Sequence, residues 1–439
     1  MTTPSALPLR VGRRLEEVEL TWRRLVVGLS GGVDSVVLLD LLHERAATYG
    51  YTLAAIHVHH GLSPNADAWA DFCATLCRAR DIPLHVERVE VRRDSGQGIE
   101  AVARKARYTA YRALDADCVA LAHNLDDQAE TVLLQLLRGA GPDGLAGMPF
   151  ERPLGRGQLI RPLIDVSRSD IEAWARERGL AWIEDESNGD PAYARNHLRL
   201  NVLPQLEGHY PGYREALARA ARNAADAAAL ADTVAVADLA DLVSEDGVEI
   251  AGLTALGPLR AANALRRWLR DDGVAMPPRV RLDEALRQLA DAAPDASPEV
   301  VIGAHVLRRY RDRVRLAPIA SDEPWSVRWC GQPRVPLADG RVVVVHGGVG
   351  EGIARDRLIG HDVLLRTRQG GERFRTGANR PRRELKKLFQ EHGVAPWERN
   401  RLPLLCVDGH VVWVPGLGID PGWAAGEGEA SLHFELARG

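Results

Sequence analysis

Three short stretches hold residue types that could carry chemistry. The first, Ser30-Gly31-Gly32-Val33-Asp34-Ser35, packs two glycines, two hydroxyls and one acid into six residues between an apolar run and a longer patterned one. Read as a strand-to-helix junction, it aims free backbone N–H groups into the positive end of a helix dipole, a site suited to phosphate. It lacks the lysine of the Walker loop and the glycine spacing of the dinucleotide fingerprint, so neither of those nucleotide folds is expected. The second stretch is His57-Val58-His59-His60-Gly61-Leu62, and the third runs His-Asn-Leu-Asp-Asp-Gln-Ala-Glu-Thr from His123 to Thr131. Asp127 and Glu130 stand three apart, hence as neighbours on the first turn of a helix. The helix dipole accounts for one such acid; a cluster beside a phosphate site is better suited to Mg²⁺ or to an ammonium ligand.

Two further stretches stay open on residue chemistry alone. Gly98 to Tyr108 sets Glu100, Arg104 and Arg107 along one side of a helix, either as a solvated face with i,i+4 pairs or as a substrate contact. Glu184-Asp185-Glu186-Ser187-Asn188 and then Arg195-Asn196-His197-Leu198-Arg199 read equally as surface or as site.

The elements that must hold these residues follow from periodicity. Strands are expected at Leu25–Leu29, Leu53–Val58, Leu84–Val91 and Cys118–Ala122. Helices are expected at Ser35–Thr48, Ala66–Arg80, Ile99–Leu114, Asp127–Arg138 and Ser169–Arg178. Strands separated by helices run parallel, so the fold class is α/β, a doubly wound and mainly parallel sheet of Rossmann-like kind. Ligands of such sheets sit beyond the carboxyl ends of the strands, where all three chemical stretches fall. They are expected to share one crevice.

The division expected is a catalytic domain over 1–212, a connecting Ala-rich helix over 213–244, a small mostly helical domain over 245–318, and a mixed α/β domain over 319–439. In the third segment, helices are expected at Pro258–Arg270 and Val280–Ala290, with a hairpin-like end at Val300–Leu316. In the fourth, Gly-rich β segments such as Val342–Val345 and Val411–Val414 surround a basic helix, Arg382–His392.

With 46% apolar and 26% charged residues, the chain reads as ordinary globular protein. Met1 to Arg24 lacks an apolar leader and no later run is long enough to cross a bilayer, so a cytoplasmic protein with no membrane partner is expected. Cys73 and Cys77, one helical turn apart, read as buried thiols; the five cysteines form no Cys-x-x-Cys pair, and neither zinc nor disulfides are expected. Charge is uneven. Arg366 to Arg401 holds eleven Lys and Arg against four Glu, a local +7 in a chain of net −4, which leaves −11 for the remainder. A local basic surface on an acidic protein suits a polyanion. Lysine occurs only at 105, 386 and 387, which marks the adjacent pair as compact charges for phosphate.

The first hexapeptide resembles the signature of the PP-loop ATP pyrophosphatases. Together with His-Val-His-His-Gly-Leu, Asp-Asp-Gln-Ala-Glu-Thr, Glu-Asp-Glu-Ser-Asn and Arg-Asn-x-x-Arg, in this order, it makes the chain similar to the tRNA(Ile)-lysidine synthetases. The run Arg383 to Glu391, with Pro396-Trp397 and Pro403-Leu404-Leu405 behind it, resembles that family's C-terminal domain. Ser63 departs from the arginine that many members carry, and no role is transferred to it. The resemblance implies a ligase that uses ATP and Mg²⁺ to join free L-lysine to the wobble cytidine of an isoleucine tRNA with a CAU anticodon, through an adenylated cytidine. It implies that Ser30 to Ser35 hold ATP, that Asp34 places Mg²⁺, and that Asp34, Asp127, Glu130 and Arg195 are catalytic. Asp127 and Glu130 would pair with the lysine ammonium and take its proton. His60, Glu100, Arg104, Arg107, Asn188, Arg199, Arg383, Lys386 and Lys387 would contact substrate.

Two other classes compete. A different PP-loop synthetase would need a nucleophilic-cysteine amidase or reactive and cluster-binding cysteines, and the spacing here suits neither. A non-catalytic ATP-dependent RNA-binding protein would show no lysine-dependent pyrophosphate release.

Overall fold

The apolar run ahead of the glycine loop forms β1 (Arg24–Gly28), with Leu25, Val26 and Val27 buried. The computed structural model describes residues 7–18, 24–91, 99–185, 194–292, 298–319 and 323–438. Its packing divides the chain into two compact units, Met1–Thr233 and Val234–Gly439.

In the first unit β2 (Thr52–His59), β3 (Leu84–Arg88) and β4 (Cys118–Ala120) join β1 in parallel. Beyond β4 a hairpin, β5 (Glu151–Leu154) and β6 (Gly157–Ile160), completes a six-stranded sheet in the order β3-β2-β1-β4-β6-β5. β6 is parallel to β4, and β5 closes the edge antiparallel. Helices cover both faces. α1 (Leu7–Glu16), α2 (Val33–Tyr49), α3 (Ala66–Arg78) and α7 (Arg168–Glu177) pack residues such as Leu15, Leu38, Cys73 and Trp174 against Leu25 and Val27. α4 (Ile99–Ala113) packs Tyr108 and Tyr111 against Val26, Ile56 and Val119 on the other face. α5 (Leu125–Leu137) and α6 (Pro142–Leu145) follow β4. After α7 come α8 (Ala194–His197), α9 (Leu203–His209) and the 27-residue α10 (Tyr213–Leu239). The expected doubly wound α/β sheet is therefore present.

Cys73 and Cys77 are buried free thiols of α3, and burial pushes them up to about 12 and about 11.

In the second unit β7 (Val243–Ser244) and β8 (Gly247–Glu249) precede α11 (Ile250–Ala255), α12 (Gly257–Asp271) and α13 (Arg279–Asp291). With β9 (Glu299–Ile302), β10 (His305–Tyr310) and β11 (Arg313–Pro318) they build an antiparallel sheet, β7-β8-β11-β10-β9, under the helices. The amphipathic helices were legible; the sheet beneath them was expected only as its terminal hairpin. The rest of the unit is mostly β. A sheet of order β12-β16-β19-β20-β21 joins β12 (Ser326–Arg328), β16 (Val363–Arg366), β19 (Leu404–Val407), β20 (His410–Val414) and β21 (Gly418–Ile419). It shares a core with a second sheet, β13-β14-β22-β15, built from β13 (Arg334–Pro336), β14 (Arg341–Val349), β15 (Ile353–Ala354) and β22 (Ala430–Arg438).

The basic helix expected from Arg382 starts later. Arg383–Glu384 is extended as β18 against β17 (Arg373–Phe374), and α14 (Leu385–Glu391) begins only after it. Pro381 removes one backbone donor just upstream, and Glu384 keeps an extended ψ of 128°. A short α15 (Pro396–Arg399) carries Trp397, whose ring meets Tyr310 of β10 edge-on at 5.7 Å.

Candidate active site

The loop between β1 and α2 is shaped by its own hydroxyls. Ser30 N–H and Gly31 N–H both donate to Ser35 Oγ at 3.2 Å, and Gly32 N–H donates to Ser30 Oγ at 3.3 Å. These amides converge at the start of a 17-residue helix whose N-cap, Gly32, offers no side chain. Phosphate oxygens fit the same donors. Gly31 adopts φ +91°, and a Cβ there would meet Ile183 Cδ1 at 2.8 Å. Only glycine lets Ile183 N–H close on the Gly31 carbonyl at 2.9 Å.

Asp34, on the first turn of α2, is tied to Asp127 of α5 through one residue. Asn124, the N-cap of α5 and 2% exposed, donates from Nδ2 to Asp34 Oδ1 at 2.9 Å. Its Oδ1 accepts from Asp127 N–H at 3.0 Å, and its own N–H donates to Asp127 Oδ2 at 3.1 Å. A single capping box thus sets two carboxylates. Burial pushes the Asp34 carboxyl up, and the charge of Asp127 adds to this against the pull of Arg168, Asn124 and Arg199. Two mutually repelling acids present hard oxygens to a divalent cation. Among the described residues no three His, Cys, Asp or Glu side chains form a closed metal cage. The paired oxygens of Asp34 and Asp127 match the one or two carboxylates that hold Mg²⁺ together with phosphate oxygens.

Arg168, at the start of α7, reaches Asp34 Oδ2 at 3.3 Å, while its backbone N–H donates to Asp126 Oδ2 at 2.8 Å. Asp126 Oδ1 accepts from Arg214 Nε of α10 at 2.6 Å. Asp126 therefore braces the site from behind, and its neighbour Asp127 faces it.

Glu130 is 0% exposed and fully engaged. Arg195 Nε donates to Oε2 at 2.9 Å, Arg199 Nε to Oε1 at 2.6 Å and Arg199 Nη2 to Oε2 at 3.1 Å. Arg195 Nη2 also donates to Thr131 Oγ1 at 2.7 Å. Arg195 lies on α8 and Arg199 on the π-type turn Leu198–Val202, so their four-residue spacing points both at one acid. Glu130, expected with Asp127 to meet the lysine ammonium, has both carboxylate oxygens on guanidiniums. Asp127 keeps the more open oxygen, 3.5 Å from Arg199 Nη2.

At the end of β4, His123 is held well below the usual imidazole range by burial and by Arg161, Arg104, Arg195 and Arg107. The expected pair Arg104 and Arg107 therefore acts on the residue that adjoins Asn124. His60 is half-buried, and its Nε2 has no hydrogen-bond partner among the described residues. Burial first, then Arg107, His57 and His59, push it down to about 4. His57 is buried with Nδ1 2.9 Å from the Leu29 carbonyl, and His59 Nε2 lies 3.1 Å from Asp67 Oδ1.

The glycine loop, Asp34, Asp127, Glu130, Arg195 and Arg199 thus form one network, with Arg104, Arg107 and His60 acting on its neighbours. Asn188 lies outside the described residues, as does the side chain of Glu100 at the start of α4. Arg383, Lys386 and Lys387 belong to the second unit, where Arg383 pairs with Glu391 at 2.5 Å and Lys387 lies 3.6 Å from Glu384. Sequence reading missed Asn124, Arg168 and Arg161. Asn124 had a signal, an N-cap residue followed by an acid three places on; the two arginines had none.

Family models match three stretches: a PP-loop domain over residues 8–206, the TilS substrate binding domain over 249–315, and the TilS substrate C-terminal domain over 363–436. A tRNA(Ile)-lysidine synthase of Nitrosomonas europaea is 41% identical over 415 residues, spanning 93% of this chain and 91% of its own. The chain belongs to the tRNA(Ile)-lysidine synthase family. A second tRNA(Ile)-lysidine synthase, from Chromobacterium violaceum, is 44% identical over 411 residues, 90% of this chain and 93% of its own. Among solved structures, a U34-tRNA thiolase from Methanococcus maripaludis aligns with 50% of this chain and 78% of its own, at 20% identity and a TM-score of 0.43. In this tRNA(Ile)-lysidine synthase family member, the glycine loop, Asp34, Asp127, Glu130, Arg195 and Arg199 fall inside the PP-loop match, and Arg214 lies just beyond it.

Proposed function

We propose that the protein ligates free L-lysine to C2 of the wobble cytidine in an isoleucine tRNA with a CAU anticodon, consuming ATP and releasing pyrophosphate and AMP. The observation that carries this reading is the junction of the phosphate loop with Asp34, Asp127 and the Arg195–Glu130–Arg199 cluster, in a chain of this family. In the first step the cytidine O2 attacks the α-phosphorus of ATP and the bond to pyrophosphate breaks. In the second the lysine amine attacks C2 and AMP leaves. The amides of Ser30, Gly31 and Gly32 grip the distal phosphates, leaving the α-phosphate open, and Arg195 and Arg199 offset charge that develops on it. Bound Mg²⁺, with Asp34 as its protein ligand, would neutralise phosphate charge. Free lysine has a pKa near 10.4, so only about one molecule in two thousand carries a neutral amine at pH 7. Asp127 pairs with the ammonium and takes its proton, with Glu130 holding the arginines that frame it.

Within the proposal, residues 1–212 carry catalysis, 213–244 connect, 245–318 contact tRNA, and 319–439 anchor it. In this reading His60, Glu100, Arg104, Arg107, Asn188 and Arg199 are the substrate-binding residues, and Arg383, Lys386 and Lys387 meet tRNA phosphates. The test is pyrophosphate release with isoleucine tRNA, ATP and Mg²⁺, with and without lysine, together with nucleoside analysis of the product. Release without a lysine-modified cytidine would overturn the reading.

A further inference from the structure

At another point of the same sheet edge, positive charge stands without a carboxylate among the described residues. Arg161 directly follows β6 and is only 2% exposed, yet no acid pairs with it among the described residues. Its Nε donates to His123 Nδ1 at 3.3 Å and its Nη1 to the Pro149 carbonyl at 2.6 Å. Beside it stands Tyr108 of α4. Arg104 Nη2 reaches the phenol oxygen at 3.3 Å, and the guanidinium carbons of Arg104 and Arg152 lie 5.0 and 4.8 Å from the ring centroid. Arg152, on β5, keeps a buried Nε with no hydrogen-bond partner. Burial alone would push the Tyr108 phenol up, but Arg104, Arg161 and Arg152 together bring it below its ordinary value. Arg161 is itself pulled down by burial; its hydrogen bond to the Tyr108 phenol works against this, and Arg152 and Arg104 add to it. A buried guanidinium without a counter-charge is costly, and an anion entering the cluster offsets that cost.

The anion is not one the glycine loop already holds. β6 lies two places from β1, roughly 10 Å at the usual strand spacing. The loop leads into α2 on one face of the sheet, whereas Tyr108 packs on the other. Arginine forks with a phenol fit a phosphodiester, whose two free oxygens accept in parallel. We propose that Arg104, Arg152 and Arg161, gathered around Tyr108, form a second phosphate site that takes a phosphodiester of the RNA strand adjoining the reacting nucleotide. This rests on the functional reading above.

The test compares wild type, Arg152→Gln and Arg152→Lys, with intact tRNA binding followed across a salt series and ATP binding measured without tRNA. Arg152→Gln is expected to weaken tRNA binding about tenfold and to flatten the salt slope by about 0.7, the value for one single-strand phosphate contact, with ATP affinity unchanged. Arg152→Lys keeps the charge, so it should retain the slope and recover part of the affinity. An unchanged slope and affinity in Arg152→Gln overturns the site. Weaker binding of ATP, AMP or pyrophosphate with unaltered tRNA binding also overturns it, assigning the cluster to the nucleotide. A wild-type protein that binds tRNA but forms no lysine adduct sinks the functional reading alone and leaves this comparison intact.

Discussion

Glu130→Gln removes the charge from the most enclosed acid of the site while keeping its shape. Three guanidinium N–H groups at 2.6 to 3.1 Å then face a neutral amide with one acceptor. Breaking a buried ion pair costs about 3–5 kcal/mol. Arg195 and Arg199 keep 25% and 30% of their side chains exposed, so water screens part of that loss. A destabilisation of about 2–3 kcal/mol is expected. For a unit of this size each kcal/mol lowers the melting midpoint by about 2–4 °C, giving a drop of about 4–12 °C. Both arginines lose their alignment together, so adenylation should slow by about ten- to a hundredfold, or 1.4–2.7 kcal/mol of barrier, and the lysine step should fall in parallel. Single-turnover reactions that resolve adenylated tRNA from lysine-modified tRNA, run beside calorimetric melts, measure both effects. If the variant melts with wild type and accumulates adenylated tRNA at the wild-type rate, Glu130 meets lysine rather than the arginines, and the reasoning is refuted.

Asp34→Asn relieves the repulsion with Asp127 and keeps an acceptor for Asn124, so it should melt no lower than wild type while Mg²⁺-dependent pyrophosphate release falls about a hundredfold or more. A lower melting point with retained turnover would reverse that assignment. His60 titrates near 6.5 when unfolded and about 4 when folded. The unfolded chain therefore binds more protons between those values, and stability is lost as pH falls through that window. His60→Gln should flatten the loss by at most about 2 kcal/mol down to pH 5, read from urea midpoints at pH 7, 6 and 5. The double substitution Lys386→Ala and Lys387→Ala should lower the salt slope of tRNA binding by about one to two without altering ATP affinity; a slope equal to wild type would leave these amines as solvated surface.

The parallel strands and the phosphate loop were legible because both depend on local pattern: β-branched runs for one, two glycines at a strand end for the other. The hairpin β5–β6 was not, since four-residue strands leave little alternation to read. α1 was missed because its charged residues hide the stripe of Leu7, Val11 and Leu15 that packs against the sheet. At the site, the types and spacing of Asp127 and Glu130 were plain, but their partners come from 65 to 72 residues away, and partnering decides what a carboxylate can do. Charge counting along the chain does not register partners that lie outside the stretch counted. Within the basic stretch, Arg375 and Arg382 pair with buried Asp420, and Arg401 with Asp339, acids that lie outside it. The local +7 is thus partly answered, and Lys386 is among the cations with no ion pair in the described residues.

Junctions between segments were also invisible in one dimension. Tyr310 donates its hydroxyl to the Gly393 carbonyl at 3.1 Å, and Arg308 lies over the Trp397 ring at 5.1 Å. A truncation at residue 319 would strip these partners from β10, so the basic surface is better tested by side-chain replacement than by deletion.

The same helix that exposes Lys386 and Lys387 offers a chemical handle. The chain holds only three lysine side chains, and all three, Lys105 on α4 included, are exposed. An amine-selective acylating reagent therefore marks, besides the chain's α-amine, two lysine addresses, one on each unit, readable by peptide mass. Shielding of the α14 address by added RNA would report occupancy of that helix directly, independent of turnover, and shielding of Lys105 would report the same for α4.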